Sequence, residues 1–255
     1  MTKLPLSVFI IAVDEGDRIA RSIESVREWA DEVIVIDSGS TDDTVSVSAF
    51  AGAQVIFNPW PGYGEQKRFG EEQCRNDWLL NIDADEVISE KLAEEIRALF
   101  SAGAPAHSGY FMDIIEILPG ETMPGWFAHK VRAIRLYDRM RGRFDASTVH
   151  DSVHMQSGTV GQLANIVEHR SSRGLAHSIA KINRYSTMQA ENLAARGTSA
   201  FLLRLRIVFE FPIGFFKAYI LRGYCLKGFY GFVNSMNYGY SRFARLAKYW
   251  ETLRR

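Results

Sequence analysis

The sequence predicts an α/β protein in which a Rossmann-like, mainly parallel sheet is flanked by helices. Two patterns in the first hundred residues support this prediction. Short apolar segments with almost no charge recur along the chain, as is typical of strands buried on both faces. Between them lie charged segments whose apolar residues have helical spacing, and strands that alternate with helices form βαβ units.

The predicted elements follow one another in a regular order. The four strands are LSVFIIAV (6–13), EVIVID (32–37), QVIF (54–57) and DWLLNID (77–83). The first helix carries Ile19, Ile23, Val26 and Ala30 at helical spacing. Later helices begin near Ser40, within EQKRFGEEQC, and at Ser89, which caps SEKLAEEIRALF.

After residue 104 the pattern changes. Two longer strands are predicted over 108–118 and 129–138, and from about residue 174 the chain is helical. We therefore expect an α/β domain over residues 1–172 and a helical, basic and aromatic extension over 173–255. The apolar stretch 201–233 is interrupted by charged residues, which argues against a spanning helix and favours an interfacial region or a core.

The composition is that of a soluble globular protein, with 47% hydrophobic and 24% charged residues. Cys74 and Cys225 have neither a disulfide framework nor metal-ligand spacing, which indicates a reducing compartment. The apolar N-terminal run meets two acids and has no cleavage site, so we interpret it as a strand and not as a signal peptide.

The formal net charge of zero conceals a division along the chain. Residues 1–172 carry 16 Lys and Arg against 27 Asp and Glu, whereas residues 173–255 carry 14 against 3. This asymmetry indicates an anionic partner for the C-terminal region, unless the basic region packs on the acidic one. No nucleic-acid-binding module occurs there, so an anionic membrane surface is the expected partner.

Acidic residues follow three of the predicted strands. They are Asp14 and Glu15, the segment DSGST (37–41), and the segment DADE (83–86). Ligands of open α/β sheets bind beyond the carboxyl ends of the strands. Asp37 can accept a hydrogen bond from the ring N–H of a base, and two carboxylates of DADE can hold a divalent cation. The alternative for DADE alone is a solvated turn before the next helix.

Five blocks of sequence, in order, resemble one family. They are WADEVIVIDSGSTDDT, NPWPGYGEQKRFG, NDWLLNIDADE, FDASTVHDSV and NRYSTMQAENLAARG. They are similar to the family-2 inverting glycosyltransferases of the GT-A fold, and among these to the bacterial subgroup of lipopolysaccharide inner-core β-1,4-glucosyltransferases. The resemblance covers nearly the whole chain.

The resemblance implies a role for each matching position. The nucleotide-sugar-binding residues that it implies are Ala12, Val13, Glu15, Asp37, Ser38, Lys67, Asp83 and Ala84. Asp37 would bind the base, Lys67 the diphosphate, and Asp83 the ribose or the donor sugar. Asp85 would bind Mg²⁺ or Mn²⁺, with His169 as a further metal ligand or else as an ordinary surface residue.

The resemblance also implies a general base, which an inverting transfer needs in order to take the proton of the acceptor hydroxyl. Asp151 is the candidate, at a position where the subgroup has Glu, and His150 and His154 are its rivals. Two further departures are Asp14 and Arg68, each of which replaces an Asn of the subgroup.

The function that the resemblance implies is transfer of a hexose, from a UDP-sugar such as UDP-glucose, onto a lipid-linked saccharide. The protein would be cytoplasmic and peripheral on the inner face of the cell membrane. Alternatives are transfer to another cell-envelope glycan, or a catalytically inert nucleotide-sugar-binding module. A dinucleotide oxidoreductase is excluded because the first strand is followed by no G-x-G-x-x-G.

Overall fold

The computed structural model describes residues 3–101, 103–119, 121, 123–124, 128, 130–145, 152–194 and 200–254. The chain forms two compact units. The first comprises Met1–Ile117 and Ala128–Ser171, and the second comprises Leu118–Phe127 and Ser172–Arg255.

The first unit contains an eight-stranded sheet and four helices in the described residues. Its strands are β1 (Leu4–Ala12), β2 (Ala30–Asp37), β3 (Gln54–Phe57), β4 (Trp78–Asn81), β5 (Glu86–Ile88), β6 (Gly109–Glu116), β7 (Lys130–Asp138) and β10 (Val160–His169). Its helices are α1 (Ile19–Glu24), α2 (Thr44–Phe50), α3 (Tyr63–Gln73) and α4 (Glu90–Ser101). A separate hairpin pairs β8 (Gly142–Phe144) with β9 (Val153–Met155).

The order of the sheet is β3-β2-β1-β4-β7-β6-β10-β5. Neighbours are parallel except that β7 is antiparallel to β4 and β6, and β5 is antiparallel to β10. The predicted class, a mainly parallel sheet with flanking helices, is therefore confirmed. Because β7 is the single reversed strand between them, β4, β6 and β10 run in the same direction as β1 and β2.

The sheet is curved, as the short connection between β4 and β5 requires. In a flat sheet these strands, four positions apart in the order, would be about 19 Å apart. The five steps from Asn81 to Glu86 span at most about 17 Å when extended, and they include a turn closed by Glu86 N donating to Asp83 O. Curvature therefore brings β5 and β10 back toward β4.

The core of the first unit lies on both faces of β1, whose Val8, Phe9 and Ile10 are completely buried. On one face α3 packs closely on the sheet, and a Cβ at Gly70 would lie 2.7 Å from the Phe9 ring. Glycine at position 70 thus lets α3, which carries Lys67, lie directly against the central strand.

The second unit is helical. Its helices are α5 (Leu175–Ala194), α6 (Ala200–Phe216) and α7 (Gly228–Thr252), with a π-helical turn (Lys217–Leu221) and a 3₁₀ turn (Tyr224–Lys227) between α6 and α7. Helices α6 and α7 meet at two glycines, since a Cβ at Gly214 would lie 3.0 Å from Gly239 Cα. Among the described helices, none combines the length and the apolar character that crossing a bilayer requires.

Candidate active site

The loops that follow β1 and β2 hold each other in place. Asp14 has a φ of 53°, a region that Asp and Asn enter more readily than most residues. Its Oδ1 accepts a hydrogen bond from Thr41 N at 2.8 Å, and its own N–H donates to Ser40 Oγ at 3.0 Å. Glu15 N donates to Thr44 Oγ1 at 2.7 Å. Asp14 therefore serves to fix this double loop, as an Asn could.

Asp37 ends β2 directly beside Ala12, its register partner at the end of β1. Its buried carboxylate accepts from Gly39 N at 2.9 Å, from Ser40 N at 3.1 Å and from the Ser40 hydroxyl. Ser40 N also lies 3.3 Å from Asp37 Oδ1, so both carboxylate oxygens accept hydrogen bonds from the loop that follows β2.

Ser38 joins this loop to α3. Its Oγ accepts a hydrogen bond from Gln66 Nε2 at 3.0 Å, and Gln66 Oε1 in turn accepts from Asn58 Nδ2 at 2.6 Å. Gln66 is completely buried. The residue that follows it along α3 is Lys67, so the network fixes the start of α3 relative to Asp37.

Lys67 is buried, and its Nζ lies 3.0 Å from Asp83 Oδ1. The other carboxylate oxygen of Asp83 lies 3.0 Å from Arg135 Nη2, which also lies 2.8 Å from Glu86 Oε1. Arg135 Nη1 donates to Asn81 Oδ1 at 2.7 Å. Two cations from α3 and β7 thus meet one carboxylate from the loop after β4 and one from the start of β5. Of these four side chains, Asp83 is the partly exposed one, at 35%.

These charges separate the pKa values of the two carboxylates. Burial by itself raises the pKa of Asp83, but the charges of Arg135 and Lys67 outweigh it and hold that pKa well below its usual range. Burial raises the pKa of Glu86 to about 7, although the charge of Arg135 acts in the opposite direction. The two cations therefore favour the ionised form of Asp83 over that of Glu86.

Asp85 lies beside His169, and His169 Nε2 is 3.2 Å from Asp85 Oδ2. The same oxygen lies 3.3 Å from Arg18 Nη1, and Arg18 Nε lies 3.1 Å from Glu15 Oε2. Backbone pairing explains the proximity, since Arg170 N donates to Asp85 O at 2.9 Å and His169 is the register partner of Glu86. Three predicted site residues, Glu15, Asp85 and His169, therefore meet around Arg18.

The pair of Asp85 and His169 is electrostatically coupled. Burial raises the pKa of Asp85, but the hydrogen bond with His169 and the charge of Arg18 prevail and lower it. The same hydrogen bond raises the pKa of His169 above its ordinary value, against the effect of burial. The two shifts have opposite directions because each group stabilises the charged form of the other.

The separation of Asp85 and His169 is compatible with two adjacent positions around one divalent cation. Adjacent ligands of an octahedral Mg²⁺ are about 3 Å apart, which is close to the 3.2 Å between Asp85 Oδ2 and His169 Nε2. Within the part of the chain that the structure describes, no three His, Cys, Asp or Glu side chains are grouped to hold a metal. The remaining ligands would have to come from a bound molecule or water.

The candidate bases belong to the segment that connects β8 to β9 and to β9 itself, and Phe144, at the end of β8, lies beside Lys67 of α3. Asp151 and His150 lie outside the described residues. His154 Nε2 lies 2.9 Å from Asp145 Oδ2, so this rival has an acidic partner. Asp145 N donates to Ser152 O at 3.2 Å, and the preceding Phe144 has its ring centroid 5.4 Å from Lys67 Nζ.

The remaining predicted residues lie along the same edge of the sheet. Ala12 is buried at the end of β1, and Val13 beyond it is 47% exposed. Ala84 is buried, and its carbonyl accepts a hydrogen bond from Ser22 Oγ at 2.9 Å. Because β1, β2, β4 and β10 run in one direction, their carboxyl ends place Asp37, Asp83 and His169 on one side of the unit.

Two charged residues of this assembly were not predicted from the sequence. Arg135 lies between the apolar Ile134 and Leu136 in the buried part of β7, where a charge indicates a partner, and Arg18 follows the acids after β1. Arg68, which replaces an Asn of the subgroup, donates a hydrogen bond to Phe144 O at 2.8 Å.

The chain matches known proteins over most of its length. A family model described as glycosyl transferase family 2 matches residues 7–159. An uncharacterized glycosyltransferase of Rickettsia felis is 40% identical over 97% of this chain and 90% of its own. The lipopolysaccharide core biosynthesis glycosyltransferase LpsC of Rhizobium meliloti is 32% identical over 98% of this chain and 93% of its own.

Similar solved structures include a mycobacterial protein with a TM-score of 0.42 and 21% identity, over 67% of this chain and 68% of that one. Glucosyl-3-phosphoglycerate synthase of Mycobacterium tuberculosis, solved with Mn²⁺, UDP-glucose and phosphoglyceric acid, has a TM-score of 0.34 and 26% identity, over 45% of this chain and 44% of that one. The sheet topology and the family match, rather than these overlaps, confirm the predicted GT-A fold.

Proposed function

The chain belongs to glycosyl transferase family 2, and we propose that it is an inverting, metal-dependent hexosyltransferase that transfers glucose from UDP-glucose onto a lipid-linked saccharide. One observation carries the proposal: Asp85 and His169 lie 3.2 Å apart on the sheet edge where Asp37 and Asp83 also lie. The likeness to LpsC, a lipopolysaccharide core biosynthesis glycosyltransferase, supports a role in lipopolysaccharide core synthesis, and we propose the inner core as the acceptor.

The donor would bind along the carboxyl ends of β1, β2 and β4. Asp37 would accept a hydrogen bond from the ring N–H of uracil, and Ala12, Val13 and Ser38 would border the base. Glu15 would face the nucleotide beside Arg18. Lys67 would interact with the diphosphate and Asp83 with the ribose or the sugar. The ion pair between these two residues, at 3.0 Å, keeps the two proposed contacts next to each other.

A divalent cation, Mg²⁺ or Mn²⁺, would be held by Asp85 and His169 together with oxygens of the donor. When bound, it would neutralise charge on the diphosphate and so make it a better leaving group. Arg18 places a positive charge beside the carboxylate of Asp85 and would help to stabilise the leaving diphosphate.

The transfer would proceed in a single displacement. The acceptor hydroxyl attacks the anomeric carbon, the bond from that carbon to the diphosphate oxygen breaks, and UDP leaves with the electron pair. Asp151 would take the hydroxyl proton as general base. The ends of its loop, Asp145 and Ser152, support this role because Phe144 contacts Lys67, the residue proposed to bind the diphosphate.

A lipid-linked acceptor would require the enzyme to work at a membrane surface. We infer that the protein is cytoplasmic and peripheral on the inner face of the cell membrane. The charge of the second unit supports this, because between residues 200 and 250 Glu210 is the single carboxylate. It is buried and paired with Arg242 and Arg245, which leaves the surface charge positive.

A thermal-shift panel of nucleotide sugars, with Mn²⁺ or with EDTA, tests the donor and the metal. UDP-glucose with Mn²⁺ should raise the Tm more than UDP-glucose with EDTA or a GDP-sugar, because a ligand of the folded state stabilises it. Nuclear magnetic resonance of the product should then show the anomeric configuration opposite to that of the donor. Binding without transfer to any lipid-linked acceptor would favour the inert binding module, and no shift with any nucleotide sugar would contradict the proposal.

A further inference from the structure

The second unit exposes a continuous row of large apolar side chains. Along α6 and the π-helical turn the row consists of Leu205, Phe209, Ile213, Phe216 and Ile220, which are 46–59% exposed. We call these five residues the apolar ridge. At the tip between α6 and α7, Leu221 and Phe229 are exposed to 80% and 78%.

The ridge lies on one side of its helix. Its members are spaced by four, four, three and four residues, which keeps them within about a quarter of the circumference at 3.6 residues per turn. Leu203, Glu210, Gly214 and Ala218, which are buried, lie on the opposite side. Helix α6 therefore packs within the second unit through its buried side, and the apolar ridge does not take part in that packing.

The ridge is bordered by cations. At the same periodicity Arg206 and Lys217 lie on one flank of the ridge, and Arg204 and Arg222 on the other. All four are exposed. The carboxylate nearest along the helix, Glu210, is buried and accepts from Arg245 Nη2 at 2.9 Å.

An apolar hollow lies beside the ridge. It has a volume of ≈ 410 Å³ and is lined by Ile207, Val208, Phe211, Tyr240 and Phe243. Its lining adds further apolar surface from both α6 and α7, so the apolar region is wider than one helix face. A patch of this kind on a folded protein marks an interaction surface.

The charge of the flanks decides between two occupants of this surface. In a symmetric dimer the same patch meets itself, which would bring the four flanking cations of one copy against those of the other. An anionic lipid surface supplies both partners at once, with acyl chains for the ridge and phosphates for the cations.

We propose that the apolar ridge inserts into one leaflet of an anionic phospholipid bilayer, with α6 parallel to the surface and its flanking cations at the level of the phosphates. The inference rests on the proposed membrane-bound acceptor and adds the mode of attachment. Both the inserted apolar side chains and the flanking cations would therefore stabilise the membrane-bound state. Once formed, it should persist in part when salt screens the cations.

Fluorescent labels on the ridge test the insertion. In a Cys225→Ser background, Phe209→Cys and Phe216→Cys would each carry an environment-sensitive dye, and Lys181→Cys on α5 would be the control. Cys225 is exposed and must be removed, whereas Cys74 is buried. With phosphatidylglycerol vesicles, the two ridge labels should shift to the blue and be quenched by nitroxides placed just below the headgroups. The Lys181 label should change little.

Matched variants test the contribution of the ridge in the full-length chain. Phe209→Ser with Phe216→Ser should weaken co-sedimentation with these vesicles at least about tenfold. The control is Phe50→Ser with Met140→Ser, two residues of the first unit that are 94% and 73% exposed. At about 1 M NaCl, where the screening length is about 3 Å, the wild type should retain part of its binding and the ridge variant none.

Two outcomes would overturn the inference. One is co-sedimentation of the wild type while both ridge labels remain in water. The other is complete release at high salt, with the ridge variant equal to its control. Neither outcome affects the proposed activity, because UDP-glucose binding by the same variants is measured separately and should be unchanged. If the wild type does not bind UDP-glucose, the proposed function is contradicted, whereas the result with vesicles still stands.

Discussion

Lys67 Nζ lies 3.0 Å from Asp83 Oδ1 although only 1% of the lysine side chain is exposed. A lysine is rarely buried to this extent unless it is paired. The pair joins α3 to the loop after β4, so it holds together two elements of the site and also keeps a positive charge where the diphosphate is proposed to bind.

Replacement of Lys67 by Met should lower both stability and donor affinity. Removing one partner of a buried pair costs about 3 kcal/mol, and here the cost should not exceed this, because Asp83 is partly exposed and keeps Arg135. Urea unfolding at neutral pH measures the loss. Lys67→Arg should retain most of the stability, and Lys67→Met combined with Asp83→Asn should be less destabilised than the sum of the single variants. Strict additivity would contradict the coupling.

Asp85→Asn should reduce transfer by about 10² or more while the Tm changes by a few degrees at most. The neutral amide is a weaker ligand for a hard cation than the carboxylate. Calorimetry should show weaker Mn²⁺ binding in the presence of UDP. The matched control is Asp31→Asn, since Asp31 pairs with Arg75 at the start of β2, away from the carboxyl ends. Full activity of Asp85→Asn, or of the wild type in excess EDTA, would refute metal dependence.

Asp151→Asn should lower turnover by about 10² to 10⁴, because it removes the proton acceptor and preserves the size of the side chain. The affinity for UDP should be nearly unchanged. His154→Ala, which breaks a contact with Asp145, should cost much less. If His154→Ala abolishes turnover and Asp151→Asn does not, the base has been misassigned.

Gly239→Ala should destabilise the second unit. The new Cβ would lie 2.8 Å from Phe211 O and 3.2 Å from Phe215 N, so α6 and α7 must separate. Overpacking of this kind costs about 1–3 kcal/mol. Limited proteolysis should therefore cut within residues 200–254 earlier than in the wild type. Ser241→Ala on the same helix removes only a local hydrogen bond to Tyr238 O and should behave like the wild type.

The strands and the acidic strand ends could be predicted because they depend on local pattern. The predicted strands 32–37 and 54–57 correspond to Ala30–Asp37 and Gln54–Phe57, and the helix after Ser89 begins at Glu90. Burial of β1 and β2 on both faces makes them near-continuous apolar runs, which a single sequence displays, whereas β3 is a partly exposed edge strand.

The pairing of charges could not be predicted because it depends on residues far apart in the chain. Arg18 contacts Asp85 and the carbonyl of Arg170, and Arg135 reaches Asp83 and Glu86 because β7 enters the sheet beside β4. No local pattern specifies that insertion. The acids after β4 are therefore balanced by two arginines and a lysine from three separate parts of the chain.

The excursion of the chain into the second unit determines how this protein can be dissected. Residues Leu118–Phe127 group with the second unit, and the chain then returns to the first at Ala128. A truncation after residue 171 would therefore leave a segment of the second unit stranded between β6 and β7. A clean catalytic fragment would need that excursion replaced by a short linker as well. The chain thus passes between the two units three times, after residues 117, 127 and 171, so the second unit is not a simple C-terminal appendage.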